Sequence, residues 1–569
     1  MSGDSTRGSI TKEVYGNTTG LKASALRMAE RLYRRRVAPA QVISPEMASF
    51  MCQVSAETGR QLGVLLDRRG QPDHVIIGDA RKLWLPDIGR LRAGLGRLRG
   101  LRLIHTHLSG EPLSSDDLND LSLLRLDLVA AVSLTSGGQA GQIQIAHLLP
   151  ENAERRLWTL LPPAPVRDLE LDFLELVGSL EEEFARASRA RVAPGDRGKD
   201  RALIVHVRTR ETPRPEAAAL SELRELCRTA GVHVLDVLVQ RRDRLDPRYV
   251  VGRGKLEEMV QRANQLGAEV LIFDPDLSPG QARAISDRTE LKVIDRTMLI
   301  LDIFALRAKS RDGKLQVELA QLSYRLPRLG EMTTLMSRLT GGIGGRGPGE
   351  TKLEINRRRA RERIARLEAQ IRLLSKRRGQ RRALRQRRGL PVVSIIGYTN
   401  AGKSTLLNQL TSSHELVEDK LFATLDPTSR KLRFPREREI ILTDTVGFIH
   451  DLPEELVNAF RATLEEVIEA DLLVHLVDVA DHDFADKIKA VEQIISELGV
   501  AQTSRLLVFN KKDLLAPDEL ELRTRASGGL CISATDAEST RPLLQAMEER
   551  LWRESLDPPS RSSSPDVAS

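Results

Sequence analysis

The residues Gly397, Tyr398, Thr399, Asn400, Ala401, Gly402, Lys403 and Ser404 fit the pattern G-x-x-x-x-G-K-S, and the apolar segment VVSIIG runs straight into them. A loop of this kind, followed by a helix, surrounds phosphates with backbone N–H groups; Lys403 would reach the β and γ oxygens and the Ser404 hydroxyl would ligate magnesium. Choosing guanine over adenine needs a carboxylate that accepts two N–H bonds from the base edge. Asp513 in Asn510-Lys511-Lys512-Asp513, after the apolar run RLLVF, is placed to do so, with Asn510 supporting the base and Lys511 lying over it. A pocket built around such acceptors rejects a base that cannot fill them. Asp444, Thr445, Val446 and Gly447 (DTVG) follow EIILT, and Ser533, Ala534 and Thr535 follow LCI. Asp444 would hold magnesium through water and the Gly447 N–H would sense the γ-phosphate. Together these segments predict an enzyme that binds GTP and hydrolyses it with Mg2+.

Between the phosphate loop and DTVG lies LFATLDPT, whose Phe422, Ala423, Thr424, Leu425 and Asp426 are expected to border the nucleotide. Thr424 is the candidate for the switch threonine that closes on magnesium, with Thr428 as the alternative. Lys403, Thr424 and Asn400 form the expected catalytic set. Phe448 follows DTVG where many small GTPases have a water-orienting glutamine, so intrinsic hydrolysis should be slow. Asn400 either coordinates a potassium ion that acts like an arginine finger, as asparagine does at this position in potassium-activated GTPases, or only shapes the loop.

The elements that must hold these residues are legible in the hydrophobic pattern. At roughly 150 residues per domain, 569 residues predict about four domains. With 41% hydrophobic and 29% charged residues the chain has the balance of a soluble globular protein, and no run approaches the ~18 apolar residues that span a bilayer. Three cysteines exclude a disulfide framework, and the N-terminus lacks the apolar core of a secretory signal, so a cytoplasmic location is expected. The division expected is an α/β region over 1–195, a small α/β subdomain over 201–295, a helical hairpin over 296–390, a phosphate-loop α/β domain over 391–555 and a disordered tail over 556–569. RALIVHV, GVHVLDVLVQ, AEVLIFDP and LKVID alternate with amphipathic helices and imply a small parallel sheet in the second of these. Leu315, Leu319, Leu322 and Leu326 make one helical stripe, and Ile364, Leu367, Ile371 and Leu374 a second. Between them, residues 341–349 hold six glycines, incompatible with regular structure.

Net charge is +8, yet residues 357–388 alone carry fifteen Arg or Lys against two Glu. The rest of the chain is therefore net negative, and one segment is the place for a polyanionic partner. It has no aromatic residue, so phosphate contact is expected there and base stacking is not.

Residues 201–552 resemble the HflX family of ribosome-associated GTPases. The resemblance rests on YVVGRGKLEE, FDPDLSPGQAR, VIDRTMLILDIFALRAKSRDGKLQVELAQLSYRLPRL, GGIGGRGPGETKLEINRRRARERI, GYTNAGKSTLLN and LFATLDPT. It implies an α/β subdomain, a helical hairpin and a G domain, and GTP-dependent binding to the large ribosomal subunit with splitting or rescue of stalled or idle ribosomes. Ribosomal RNA would then contact residues 341–388, with Arg346, Lys352, Arg357, Arg358, Arg359 and Arg361 as candidates, and the protein would act as a monomer. The chain ends soon after SAT, so the further C-terminal domain of some relatives is expected to be missing.

In the first region, QLGVLLD and DHVIIGD read as a strand hairpin, followed by a helix, the strand LRLIHTHL, another helix, and the strands LVAAVSL and GQIQIAHL. His105 and His107 alternate on one strand face, with Asp116 and Asp117 in reach. This resembles the JAMM/RadC pattern H-x-H-P-x-x-x-x-x-x-S-x-x-D, but Leu108 stands for the proline and the spacing onto Ser114 and Asp117 falls one residue short. A Zn2+ site of His105, His107 and Asp117 with an activated water is one expectation, with Glu57 as base; a degenerate binding domain is the other. Two rivals to the ribosomal reading follow, a GTP-regulated metallohydrolase and a GTP-gated scaffold on some other polyanion.

Overall fold

The computed structural model describes residues 13–552 apart from 87, 89–96, 151, 153, 155, 192–198, 211–213, 290, 330–351, 388–389, 412–420, 423–427, 435–437, 451–463 and 526. The chain divides into two compact units. One takes Met1–Val207, His233–Ile272 and Ala284–Val293; the other takes Arg208–Val232, Phe273–Arg283 and Ile294–Ser569.

The first unit is built on a sheet of β1 (Val14–Gly16), β2 (Leu62–Asp67), β3 (Pro72–Ile77), β4 (Leu101–His107), β5 (Leu128–Leu134), β6 (Ala140–Leu148) and β7 (Trp158–Leu160), in the order β1-β3-β2-β4-β5-β6-β7, with β8 (Ala164–Pro165) beside β6. The strands expected from the sequence are present; the helix expected between DHVIIGD and LRLIHTHL falls largely outside the described residues. Of the helices, α1 (Ala23–Glu30) precedes α2 (Pro45–Thr58), which starts at Ser44, whose hydroxyl accepts from the Met47 N–H at 3.2 Å, and stops at Gly59 with φ 64°. Ser55 of α2 meets Thr106 of β4 through their hydroxyls at 2.6 Å. Successive strand residues point to opposite faces, so α2 covers the Thr106 face and His105 and His107 look out on the other. There α3 (Ser115–Leu123) approaches the sheet, and α4 (Phe173–Arg191) lies further along the chain. Arg102, on the Thr106 face and fully buried, stacks on Phe173 at 4.1 Å and donates to Val42 and Asp67 carbonyls.

A second sheet follows, with β9 (Arg201–Arg208), β10 (His233–Arg241), β11 (Val270–Phe273) and β12 (Lys292–Asp295) in the order β10-β9-β11-β12. The helices α5 (Glu216–Ala230), α6 (Arg253–Leu266) and α7 (Pro279–Ser286) connect these strands. Asp295 ends β12 and caps α8 (Arg296–Arg307) by accepting from the Met298 N–H at 2.9 Å.

In the second unit α8 packs on α5 and on α9 (Arg311–Leu329), and α9 packs along α10 (Lys352–Arg387). The α9 residues most deeply buried are Gln316, Val317, Ala320 and Tyr324, whereas Leu315, Leu319, Leu322 and Leu326 are only half-buried. The leucine stripe is thus the flank of the contact; α9 serves two neighbours, and small Ala320 lets one come close. On α10 the expected stripe holds, with Leu367 fully buried and Ile364, Ile371 and Leu374 half-buried around it. Arg363 clasps Glu318 with two hydrogen bonds, 2.7 and 2.8 Å, across the pair.

The remaining sheet contains β13 (Val392–Gly397), β14 (Thr428–Arg433), β15 (Glu439–Asp444), β16 (Leu472–Asp478), β17 (Ser504–Asn510) and β18 (Leu530–Cys531), in the order β14-β15-β13-β16-β17-β18. All pairings are parallel except β14 with β15. Its helices are α11 (Lys403–Thr411), α12 (Glu465–Ile468), α13 (Phe484–Glu497), α14 (Pro517–Thr524) and α15 (Ala537–Leu551). The chain leaves central β13 toward β15 on one side and later toward β16 on the other. That reversal opens a crevice at the carboxyl ends of the strands, where such sheets bind ligands.

Candidate nucleotide site and a metal-ligand cluster

The segments singled out from the sequence meet at this crevice, at the carboxyl ends of β13, β15, β17 and β18. Gly397 has φ 152° and Gly402 φ 92°, and a Cβ at Gly402 would collide with the Asn510 amide. Asn400 adopts φ 62°, a left-handed conformation that asparagine tolerates better than most residues. Lys403 opens α11 and is buried; its Nζ donates to the carbonyls of Gly397 at 3.2 Å and Tyr398 at 2.8 Å. An ammonium has three N–H donors, so one remains for an anion. The Ser404 hydroxyl donates to Asp444 at 2.6 Å. A hydroxyl and a carboxylate oxygen at this separation are the hard donors that magnesium prefers.

DTVG is tied to the loop by its own main chain. The Thr445 hydroxyl donates to the Ile395 carbonyl at 2.7 Å, Thr399 N–H donates to the Phe448 carbonyl at 2.8 Å, and Phe448 N–H donates to Gly397 at 3.1 Å. Val446 is buried. At Gly447 a Cβ would lie 2.9 Å from Thr399 Cα and 3.0 Å from Lys403 Nζ, so only glycine lets the chain pass this close to the ammonium.

On the base side, buried Asn510 donates to the Ala401 carbonyl at 2.8 Å and accepts from Ala534 N–H at 2.8 Å. It ties the phosphate loop to the SAT segment, a role the motif alone does not reveal. Lys511 has φ 63° and its Nζ pairs with Asp478 at 2.7 Å. Nothing in the sequence pointed to Asp478; it is the last residue of β16, directly beside Asn510 in the β17 register. Lys512 starts a short turn, Asp513 is exposed with its carboxylate open to a ligand, and the Ser533 and Thr535 hydroxyls meet at 2.9 Å.

Ala423, Thr424, Leu425 and Asp426 lie outside the described residues; the alternative threonine, Thr428, begins β14 opposite Asp444. Phe422 is buried, its ring centroid 4.6 Å from that of Phe304 on α8, and Leu421 N–H donates to the Thr229 hydroxyl of α5 at 3.2 Å. Arg346 and the glycine-rich loop lie outside the described residues. Lys352 begins α10, where Arg358, Arg359 and Arg361 are exposed and Arg357 is half-buried.

In the first unit, His105, His107 and Asp117 come together, the one such cluster among the described residues. His105 Nε2 is 2.9 Å from His107 Nε2 and 3.3 Å from Asp117, and His107 Nε2 is 3.7 Å from Asp117. A tetrahedral zinc with bonds of about 2.0 Å has edges of roughly 3.3 Å; the histidine pair lies near that spacing, and each histidine nitrogen has a different Asp117 oxygen near it, Oδ1 for His105 and Oδ2 for His107. His107 Nδ1 bonds the Glu111 carbonyl at 2.7 Å, turning Nε2 inward as ligating histidines are turned by their outer partner. The Asp117 carboxylate also accepts from Ser114 N–H and hydroxyl, both at 2.7 Å, completing a capping box at the start of α3. Burial alone would raise the Asp117 carboxyl, but His105 and Ser114 outweigh it and hold the group well below the usual carboxylate range. Burial and the charge of His105 lower His107, favouring the neutral imidazole that ligates metals. Glu57 does not join them: it is exposed on α2, which covers the opposite face of the sheet. The expectation of Glu57 as base is therefore wrong, because its place depends on which face α2 covers.

Burial pushes the Lys403 ammonium down to about 8, only partly offset by Asp444. Phosphates favour the charged form, so above that pH nucleotide binding must take up a proton. Calorimetry of GDP binding at about pH 8.5 in buffers of different ionisation enthalpy should give observed heats that differ with the buffer, with affinity falling as pH rises further; the same observed heat in every buffer would contradict the uptake.

Residues 217–305 match the family described as GTP-binding GTPase N-terminal, 307–385 the GTP-binding GTPase Middle Region, and 392–511 the 50S ribosome-binding GTPase family. The chain is 49% identical over 378 residues to GTPase HflX of Caldanaerobacter subterraneus subsp. tengcongensis, covering 66% of this chain and 84% of that one. It is 42% identical to GTPase HflX of Escherichia coli K12 over 355 residues, 62% of this chain and 83% of the relative. Among solved structures it is similar to a GTP-binding protein from Sulfolobus solfataricus in complex with GDP, at 24% identity and a TM-score of 0.33, covering 63% of this chain and 99% of that one. The chain therefore belongs to the HflX family of GTPases, and it binds and hydrolyses GTP.

Proposed function

We propose that this GTPase binds the large ribosomal subunit in a nucleotide-dependent way, in the cytoplasm and as a monomer, and splits or rescues stalled or idle ribosomes. The observation that carries this reading is α10: a helix of 36 residues whose exposed Arg358, Arg359 and Arg361 belong to the same compact unit as the nucleotide site. The match of residues 392–511 to a family described as 50S ribosome-binding supports the choice of polyanion. Residues 201–295, 296–390 and 391–555 act in this reading as subdomain, hairpin and G domain.

Within the site, Lys403 would neutralise the β and γ oxygens, Ser404 and Thr424 would ligate Mg2+ with Asp444 holding it through water, and the Gly447 N–H would read the γ-phosphate. Asn400 is the residue through which K+ would act, and faster turnover in potassium than in sodium is its signature. Asp513 reads the guanine edge. Asp513→Asn replaces one acceptor by a donor, so GTP affinity should fall about 100-fold while xanthosine triphosphate binds more tightly than GTP; an unchanged preference would remove Asp513 from this role.

Sucrose-gradient sedimentation with ribosomes tests the partner. A non-hydrolysable GTP analogue should carry the protein into the large-subunit fraction and GDP should not. Charge reversal of Arg358, Arg359 and Arg361 should abolish the shift, and salt should weaken it steeply. Sedimentation independent of nucleotide, or untouched by charge reversal, would sink the proposal.

A second reading concerns the first unit, whose donor geometry favours zinc. His105, His107 and Asp117 would hold Zn2+, which when bound supplies a Lewis acid with a position open to water. Purified full-length protein should carry one zinc per chain by elemental analysis, and His107→Ala should lose it. Metal-free protein that ignores added zinc would leave the cluster as a hydrogen-bonded core feature.

A further inference from the structure

Tyr398, the first variable residue of the phosphate loop, is buried and places its side chain in an ionic cluster. Its hydroxyl donates to Glu222 of α5 and accepts from the His450 N–H at 2.8 Å. Glu222 is buried between two arginines: Arg214 lies at 3.0 Å, and Arg296, the first residue of α8, pairs with its other oxygen. Arg296 also reaches Asp274 at 3.2 Å and the His450 carbonyl at 3.5 Å. The His450 ring lies 5.5 Å from the Tyr398 ring, and the Lys487 ammonium stands over the Tyr398 ring at 4.9 Å from its centroid. Every one of these residues belongs to the same compact unit.

The cluster thus holds both main-chain polar groups of His450, its N–H and its carbonyl, three residues beyond Gly447. The sensor is held on its other side too, where Thr445 is fastened to β13 and Phe448 pairs with the loop. We propose that Tyr398 and Glu222 are positioning residues for GTP hydrolysis: Glu222 fixes the phenol, and the phenol fixes the main chain that presents the Gly447 N–H to the γ-phosphate. Burial would raise the Glu222 carboxyl, but Arg296 and Arg214 hold it below its usual value, so it remains a charged acceptor for the phenol across the physiological range.

GDP has no γ-phosphate, so its affinity should not depend on this clasp, whereas hydrolysis and GTP-analogue affinity should. Tyr398→Phe keeps the ring and removes only the hydroxyl. Measured on the full chain without ribosomes, it should lower kcat and weaken a non-hydrolysable GTP analogue by about 3- to 10-fold, the worth of one hydrogen bond, with GDP affinity within about twofold of wild type. Glu222→Gln should act in the same direction, and the double variant should be no worse than the poorer single one, since both break the same clasp. If Glu222→Gln loses its thermal transition, Tyr398→Phe alone decides. A Tyr398→Phe protein with unchanged kcat and an unchanged analogue-to-GDP affinity ratio, with faster turnover, or with equal loss of both nucleotides overturns the proposal. Because no ribosome enters this measurement, its outcome is independent of the ribosomal reading.

Discussion

The ammonium of Lys403 is a charge that the fold buries with no carboxylate in contact among the described residues. Its hydrogen-bond partners are two main-chain carbonyls, and the nearby Asp444 directs an oxygen to Ser404 instead. Removing an ion from water costs several kcal/mol even after relaxation, and that cost lowers the affinity of this nitrogen for its proton. The surrounding geometry follows from holding such a group in place. Gly397 and Gly402 let the loop curl around it, Asn510 pins the far side of the loop, and Gly447 brings a second strand end close to it. A polyphosphate is the natural complement, since it supplies negative charge at the point where the protein has withheld it. The loop N–H groups and the N-terminus of α11 act in the same sense.

Much of this site could be read from the sequence because its parts are short, contiguous and tied to strand ends. Glycines at fixed offsets, a lysine, and an aspartate after an apolar run each report a local backbone requirement, and the sheet order then gathers them at one edge. What escaped the sequence is what depends on pairing across it. Asp478 meets Lys511 because β16 and β17 run in parallel register, and Glu222 meets Tyr398 across 176 positions. No spacing rule encodes either contact. The leucines of α9 show the same limit from the other side: their period announces a helix with an apolar face, but which residues lie deepest depends on a helix having two neighbours.

The first unit makes the point with a single carboxylate. Period-two alternation was enough to place His105 and His107 on one face, and Asp117 follows because Ser114 begins a helix whose third residue must turn back toward the cap. One oxygen of Asp117, Oδ2, is thereby committed to the helix start and lies toward His107, while the other, Oδ1, faces His105. The start of α3 and the arrangement of the cluster are set by the same side chain, and the direction in which Asp117 points is a consequence of capping. The misplacement of Glu57 had the opposite origin, since a residue three turns along α2 says nothing by itself about the side of the sheet on which that helix will lie.

The 36 residues of α10 form an unbroken rod of roughly 54 Å. Only residues 388–391 separate its end from β13, the strand that carries the phosphate loop. The exposed arginines near position 359 stand about 40 Å away along the rod. A tilt of about 10° at the strand end would sweep the far end through roughly 9 Å for a rod of this length. For a rod of this length, geometry alone would turn a small change of angle at the strand end into a displacement as large as a side chain where the charge lies, and α9, clasped to it through Arg363 and Glu318, would have to travel with it.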